Sequence, residues 1–408
     1  MTTVKDSIHD HITISGVGEE LLETPAVQRL RRVKQLGTVS YVYPSANHTR
    51  FEHSLGVYHI VSQALEHLQV NTQQAKKIRA AAILHDIGHG PFSHNLEDVI
   101  HRRTGKYHDD VEDLLSRREI SNCLNNYGIN TNDILKLIKG HGKYGQLIAG
   151  ELDVDRMDYL LRDAHHTGVP YGLIDHGRLV RELTFIDDKL VLDEGNVQAA
   201  ESLLLARALM NPTVYNHHVA RISKTMLRRA TEQLLDTTQI SGKQLRRMDD
   251  IELFHRIRTH DTTAKLGERL NDRNLFKRAV WAEMSDVPAD LLNADHEQIK
   301  EFEQDVAAKA DITDRDVIID IQPQPEMRES TSRVLVNGEV RRLDQQSTLV
   351  NALQDAQREQ WRFGVYTPQE YIDRVRDATE SRLGLETDGQ FVSEITTPRG
   401  ERSLDEFN

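Results

Sequence analysis

The spacing of apolar and polar positions predicts a chain built mostly of helices. Segments at about 54–70, 73–87, 95–116 and 155–166 read as helices, and two long ones fill 196–238. Thr24-Pro25 supplies an N-cap and first-turn pair for a helix that runs through Leu36 and ends at Gly37. Residues 1–22 read as one or two short strands, around His-Ile-Thr-Ile-Ser, with a glycine turn. Leu183–Leu192 reads as a hairpin turning at Asp187-Asp188. Residues 240–310 are predicted helical and highly charged, without a trusted motif. Near 311 the pattern changes. Asp316–Ile321 reads as a strand, Pro323 and Pro325 break it, and Arg333–Arg341 is a hairpin around Asn337-Gly338. A helix at 346–360, a strand near Trp361–Tyr366 and a helix from Pro368 to about Leu383 follow, with the last twenty residues frayed. The predicted fold is mainly α: a helical core at 1–240, a helical extension at 241–310 and a small α+β domain at 311–408.

The chain has 408 residues, enough for two or three domains with a sizeable core. Its single cysteine, Cys123, permits no intramolecular disulfide and points to a reducing compartment. The N-terminal residues hold no apolar segment of the kind a secretory leader needs, and the apolar run Arg79–Leu84 is too short to span a membrane. A cytoplasmic location is therefore expected. A net charge of −13 argues against a dominant nucleic-acid surface, while leaving room for a local basic pocket for phosphates.

Candidate chemistry is concentrated between Arg50 and His94. His53 is followed by the adjacent pair His85-Asp86, which an Ala/Ile/Leu run delivers into apolar surroundings before Gly88, Gly90 and Pro91 break the helix. His85 and His89 share a helix face, and His94 lies on the next segment with Glu97 three residues on. A lone buried histidine is more often a satisfied core residue than a ligand. Histidines at this density, with Asp86 among them and an acid-rich segment at Glu151–Tyr159 to follow, fit a transition-metal site better than packing. Asp155 is the expected fourth ligand, with Asp158 and Asp163 near it on a predicted helix. The set His53, His85, Asp86 and Asp155 suits one divalent ion, with Mn, Mg, Fe, Zn and Ni all compatible. Arg50, three residues before His53, is placed for a phosphate oxygen. The glycine-rich Gly140–Gly145 lacks P-loop spacing and reads as a connection.

Three blocks in order, Arg-Phe-Glu-His-Ser-Leu-Gly-Val from Arg50, Leu-His-Asp-Ile-Gly-His-Gly-Pro-Phe-Ser-His from Leu84, and Asp-Val-Asp-Arg-Met-Asp-Tyr-Leu-Leu-Arg-Asp-Ala-His-His-Thr-Gly from Asp153, resemble the HD-domain metal phosphohydrolases. More specifically, they resemble the deoxynucleoside triphosphate triphosphohydrolases of the dGTPase-like and SAM-and-HD-domain group. The similarity runs from about Glu23 to about Arg228. It implies an HD-domain helical core, one divalent metal per subunit on His53, His85, Asp86 and Asp155, and cleavage of a deoxynucleoside triphosphate to deoxynucleoside and inorganic triphosphate. By the same resemblance His94, oriented by Glu97, is the general acid, with His89 and His108 nearby to tune it or to bind phosphate. Gln35 and Leu36 approach the sugar, and Tyr159 and Asp163 hold its 3′-hydroxyl. Arg156 stands where a lysine commonly meets phosphate, Arg207 matches a phosphate-binding arginine, and Tyr215 and His217 line base and sugar.

The resemblance also implies a homo-oligomer, dimer or tetramer, and a possible nucleotide activator. Glu23, Gln28 and Arg31 partly match activator-reading positions, with Glu in place of Asp. Asp193-Glu194-Gly195 is acidic where relatives that need a second activating nucleotide are basic, which counts against activation of that form. No SAM domain precedes the expected core. The alternatives are a phosphohydrolase of the same superfamily acting on a nucleoside monophosphate or cyclic nucleotide, and a non-catalytic nucleotide-binding regulator.

Overall fold

A computed structural model describes residues 1–323 and 327–384, so the expected fraying of the last twenty residues lies outside the described ones. The chain opens with an antiparallel hairpin, β1 (Thr2–Asp6) and β2 (Asp10–Ile14), whose Ile12 and Ile14 are fully buried. Helices α1 (Arg50–His67) and α2 (Thr72–Leu84) form the central pair. Glu52 fixes the start of α1 by accepting from Thr49 N at 2.6 Å, and Asn71 caps α2 by accepting from Gln74 N at 3.0 Å. Residues Ala80 to Leu84 are all buried, so the end of α2 is anchored in the core before the chain turns at Gly88. A Cβ on Gly88 would lie 1.9 Å from the His108 carbonyl, so only glycine lets this turn pass the segment that carries His108.

Other helices follow the predicted pattern with informative breaks. The expected helix from Pro25 to Leu36 is α-helical only over Pro25–Arg29, then tightens to a 3₁₀ turn at Leu30–Arg32. The backbone there is drawn out of the helix: Lys34 N donates to Asp250 Oδ2 at 3.0 Å and Gln35 N to the His48 carbonyl at 3.0 Å. The expected segment 95–116 is two helices, α3 (Glu97–Thr104) and a turn at Glu112–Leu115, because Gly105 ends α3 in the left-handed region. Helix α4 (Val154–Thr167) is capped by Asp153, which accepts from Arg156 N at 2.9 Å, and ends at Gly168 with φ 74°. Helices α5 (Val197–Met210) and α6 (His218–Thr237) are joined by a π turn, Asn211–Tyr215.

Three small sheets complete the chain. In the second, β3 (Leu183–Ile186) and β4 (Lys189–Leu192) form the expected hairpin. Next to β4 runs β7 (Arg333–Val336) in parallel, Leu192 facing Val334, and β7 turns through Asn337-Gly338 into β8 (Glu339–Arg342). In the third sheet β9 (Arg362–Thr367) lies antiparallel between β5 (Lys277–Glu283) and β6 (Ile318–Asp320). Val280, Val306, Phe363, Val365 and Val375 form its core with the helices His296–Lys309 and Ile372–Leu383.

The chain divides into two compact units, Met1–Asn274 with Glu326–Asp355, and Leu275–Pro325 with Ala356–Asn408. These bounds differ from the expected 240 and 310. The hairpin β7–β8 belongs to the first unit because it pairs with β4, and β5 is a strand inside the stretch expected to be helical. A register shift between Arg278 and Val280 puts Ala279 and Val280 inside together, which hides the two-residue alternation of a strand. The fold class is as expected, mainly α with an α+β C-terminal part. Among the described residues, no helix is long and apolar enough to cross a membrane.

Candidate metal centre

Four side chains converge from α1, from the turn after α2 and from α4. His53 Nε2 lies 2.7 Å from Asp155 Oδ1 and 3.4 Å from His85 Nε2. His85 Nε2 is 3.4 Å from Asp86 Oδ1 and 3.8 Å from Asp155 Oδ1, and His53 Nε2 is 3.8 Å from Asp86 Oδ2. His53, His85 and Asp86 are buried. The outer nitrogens of both histidines are already engaged, His53 Nδ1 with Asp158 Oδ2 at 2.8 Å and His85 Nδ1 with the Ala82 carbonyl at 2.8 Å. Both rings thus turn Nε2 to a common point, flanked by two carboxylates. The donor atoms of His53, His85 and Asp86 lie close enough together to hold one divalent cation, and Asp155 Oδ1 adjoins them.

Each of these side chains is held from behind. Arg50, itself buried, donates from NH1 to Asp86 Oδ2 at 2.9 Å and from Nε to Ser93 Oγ at 2.7 Å. Burial alone would raise the Asp86 pKa; the charge of Arg50 leads the interactions that instead hold it well below the usual carboxylate range. Asp158 is fully buried among His53, His9 (Nε2 at 2.7 Å) and Arg162, whose guanidinium also reaches Asp6 at 2.8 Å. Phe92 and Ser93 adopt φ of 54° and 57°, a strained pair in the turn that carries the site. Asp250 fixes it by accepting from Phe92 N at 2.6 Å.

A second group lies beside the first. Glu97 accepts from His94 Nδ1 at 2.7 Å with one oxygen and from His108 Nδ1 with the other. His89 stacks on His108 with ring centroids 4.3 Å apart, and its Nε2 is 3.3 Å from Asp86 Oδ1. Burial opposes charge on His108, and the contact with Glu97 outweighs it, so the His108 pKa lies above the usual histidine value. The Glu97 carboxyl is held below its usual range by His108 and His94 against the effect of burial. The His94 side chain is 55% exposed, which leaves this pair open to an entering molecule.

Further along α4, Asp163 accepts from Tyr215 OH at 2.9 Å and meets His48 Nε2 at 2.8 Å. Tyr159 and Tyr215 rings lie edge to face, 6.3 Å apart. Gln35 Oε1 and His48 Nδ1 are buried and, among the described residues, find no hydrogen-bond partner. Leu36 is half-buried against the core. Arg156 is turned back onto Asp153 and the Gly150 carbonyl, its own helix start. Arg207 is close enough to Tyr215 for its charge to be felt there, and His217 caps α6 by accepting from Val219 N at 3.2 Å.

Sequence reasoning placed Asp158 near the site without a role and did not single out Arg162, His9, Asp6 or His48 for function. The spacing from Asp155 to Asp158 and on to Arg162 puts all three on neighbouring turns of one helix, which is a readable signal. His9 and His48 reach the site only through tertiary packing.

A model of the HD domain matches residues 50–163, and a model of the HD associated region matches 174–394. The chain belongs to the HD-domain phosphohydrolase family. A protein of Methanocaldococcus jannaschii is 36% identical to it, over 92% of this chain and 81% of that one. The deoxynucleoside triphosphate triphosphohydrolase homologue of Dictyostelium discoideum is 28% identical over 67% of this chain and 59% of its own. A phosphohydrolase from Bacteroides thetaiotaomicron, known by crystal structure, superposes with a TM-score of 0.72 at 26% identity, covering 90% of this chain and 99% of that one.

Proposed function

We propose that the chain hydrolyses deoxynucleoside triphosphates to deoxynucleoside and inorganic triphosphate. The observation that carries the substrate reading is the wall around Asp163. Gln35 Oε1 and His48 Nδ1 are two buried polar atoms without a hydrogen-bond partner among the described residues, and His48, Asp163 and Tyr215 form one hydrogen-bonded chain. Buried polar atoms are costly unless something satisfies them, and a sugar with its base edge offers the needed donors and acceptors.

A divalent ion on His53, His85, Asp86 and Asp155 would neutralise charge at the phosphorus and lower the pKa of a water there. The protein groups do the rest. Arg50 fixes Asp86, and Asp158 fixes His53, so the ligand geometry is set before substrate arrives. Glu97 holds His94 and His108 in fixed orientations and keeps a proton on the pair for the departing alkoxide. Arg207, on α5 and close enough to Tyr215 for its charge to be felt there, is the arginine we assign to the phosphate chain. Arg50 and Arg156 already engage carboxylates, which is the observation behind a second reading, a substrate with fewer phosphates.

The two readings separate by product analysis. The purified protein is incubated with each deoxynucleoside triphosphate and Mn²⁺ or Mg²⁺, with the His85→Ala/Asp86→Ala variant as control. Release of nucleoside and inorganic triphosphate, lost in the variant, is expected. Turnover of monophosphates or cyclic nucleotides alone would replace this reading with the second.

A further inference from the structure

A cavity of about 260 Å³ borders the HD turn at Ile87. Its floor is apolar, from Pro25, Ala26, Ile87 and Leu114, and six cations line it: Arg29, Lys106, Arg117, Lys243, Arg246 and Arg247. Asp113 is the sole carboxylate among the lining residues, and it is already shared by Lys106 at 2.7 Å and Arg246 at 3.2 Å. Arg117, Lys243 and Arg247 meet no carboxylate among the described residues. In a chain of net charge −13, this convergence of cations is only partly compensated.

The strain is visible at Arg29. Burial leads the lowering of its pKa to about 10, with Arg246 and Arg117 adding to it, and the charges of Asp249 and Asp250 do not fully offset them. A solvated basic face would let such side chains diverge. Here all six line one concave surface, with Arg246 buried and Lys243 and Arg247 exposed, and like charges so gathered repel unless an anion sits between them.

We propose that this cavity is a binding site for the di- or triphosphate group of a small ligand. Arginine forks suit phosphate oxygens, and Lys106 and Lys243 add point charges. The volume falls just under the roughly 300–1,000 Å³ of sites that enclose a drug-sized molecule, so the phosphate chain fills it and any nucleoside extends outward. The assignment stands whichever phosphorylated substrate the metal centre cleaves. It also has a route to that centre. Arg29 donates to the Ile87 carbonyl at 3.0 Å and the His89 carbonyl at 2.5 Å, the backbone directly after Asp86. An anion that recruits the cations around Arg29 therefore acts on the turn that sets two metal ligands.

The test is calorimetric titration of the full chain, at low salt, with inorganic pyrophosphate and with ADP. Lys243→Ala/Arg247→Ala changes two exposed side chains and leaves the fold and the basal activity intact. We expect it to weaken pyrophosphate binding by about tenfold or more, while Arg207→Ala at the catalytic cleft changes it less than about twofold. Binding equal for ADP and pyrophosphate assigns the site to the phosphate groups alone; tighter ADP binding shows that a nucleoside also contributes, and both uphold the proposal. It is overturned if wild-type protein binds neither probe, or if Arg207→Ala abolishes binding and the double variant does not.

Discussion

Asp158 Oδ2 lies 2.8 Å from His53 Nδ1, and that contact decides which nitrogen of His53 faces Asp155. Carboxylates behind metal-binding histidines fix the ring and raise its basicity. Asp158→Asn keeps the volume and loses the charge, so divalent-metal affinity should fall by about 10–100-fold. Titration of the metal-free protein with Mn²⁺ measures this, and an unchanged affinity would show that Arg162 and His9, not His53, are what Asp158 serves.

At Gly56, α1 passes close against side chains of α4. A Cβ there would stand 1.8 Å from Asp158 Oδ1 and 2.6 Å from the Arg162 guanidinium, both rigidly held. Gly56→Ala should lower stability by about 1–3 kcal/mol or more, since overpacking at a buried ion pair cannot relax cheaply. Thermal unfolding reads the loss, and metal content should fall with it because His53 is three residues away.

Glu97 lifts the His108 pKa, so the proton stays on His108 to higher pH than it would in water. Glu97→Gln removes that support. The alkaline limb of the rate against pH should move to lower pH, and the maximal rate should drop by about 10²–10⁴. A limb that stays in place would locate the proton donor outside the His94–Glu97–His108 group.

Asp250 is buried, and burial raises its pKa to about 6 even though Phe92 N and Lys34 N donate to it. An unfolded aspartate titrates near about 3.9. The folded state thus favours the protonated form: its contribution to stability is full below about pH 4 and is lost as the pH rises through 6, by about 3 kcal/mol. Asp250→Asn cannot ionise. Its stability relative to wild type should therefore improve from pH 4 to pH 7, which denaturant unfolding at both ends would show.

The four residues proposed to hold the metal were legible as candidates because each sits in a short run of unusual composition, and the same holds for His94 and Glu97. The helices that carry them follow from capping residues and apolar spacing. What the chain concealed is what depends on pairing at a distance. His48 and His9 join residues more than a hundred positions away, and no local pattern marks them. The bulged β5 lacked alternation, and β7–β8 gave no sign of its partner β4. Arg156 kept its charge but not its expected direction, because Asp153 stands next to it at the helix cap.

The pairing of β4 with β7 ties residue 192 to residue 334, and the whole of β5 and β6 is made in between. During synthesis, the sheet that borders β4 stays open until the ribosome has released residues beyond about 342. At about 5–20 residues per second the nascent chain carries that bare strand edge for about 7–30 seconds. A fragment ending near residue 310 would carry it permanently, with β4 free to recruit the strand of another chain.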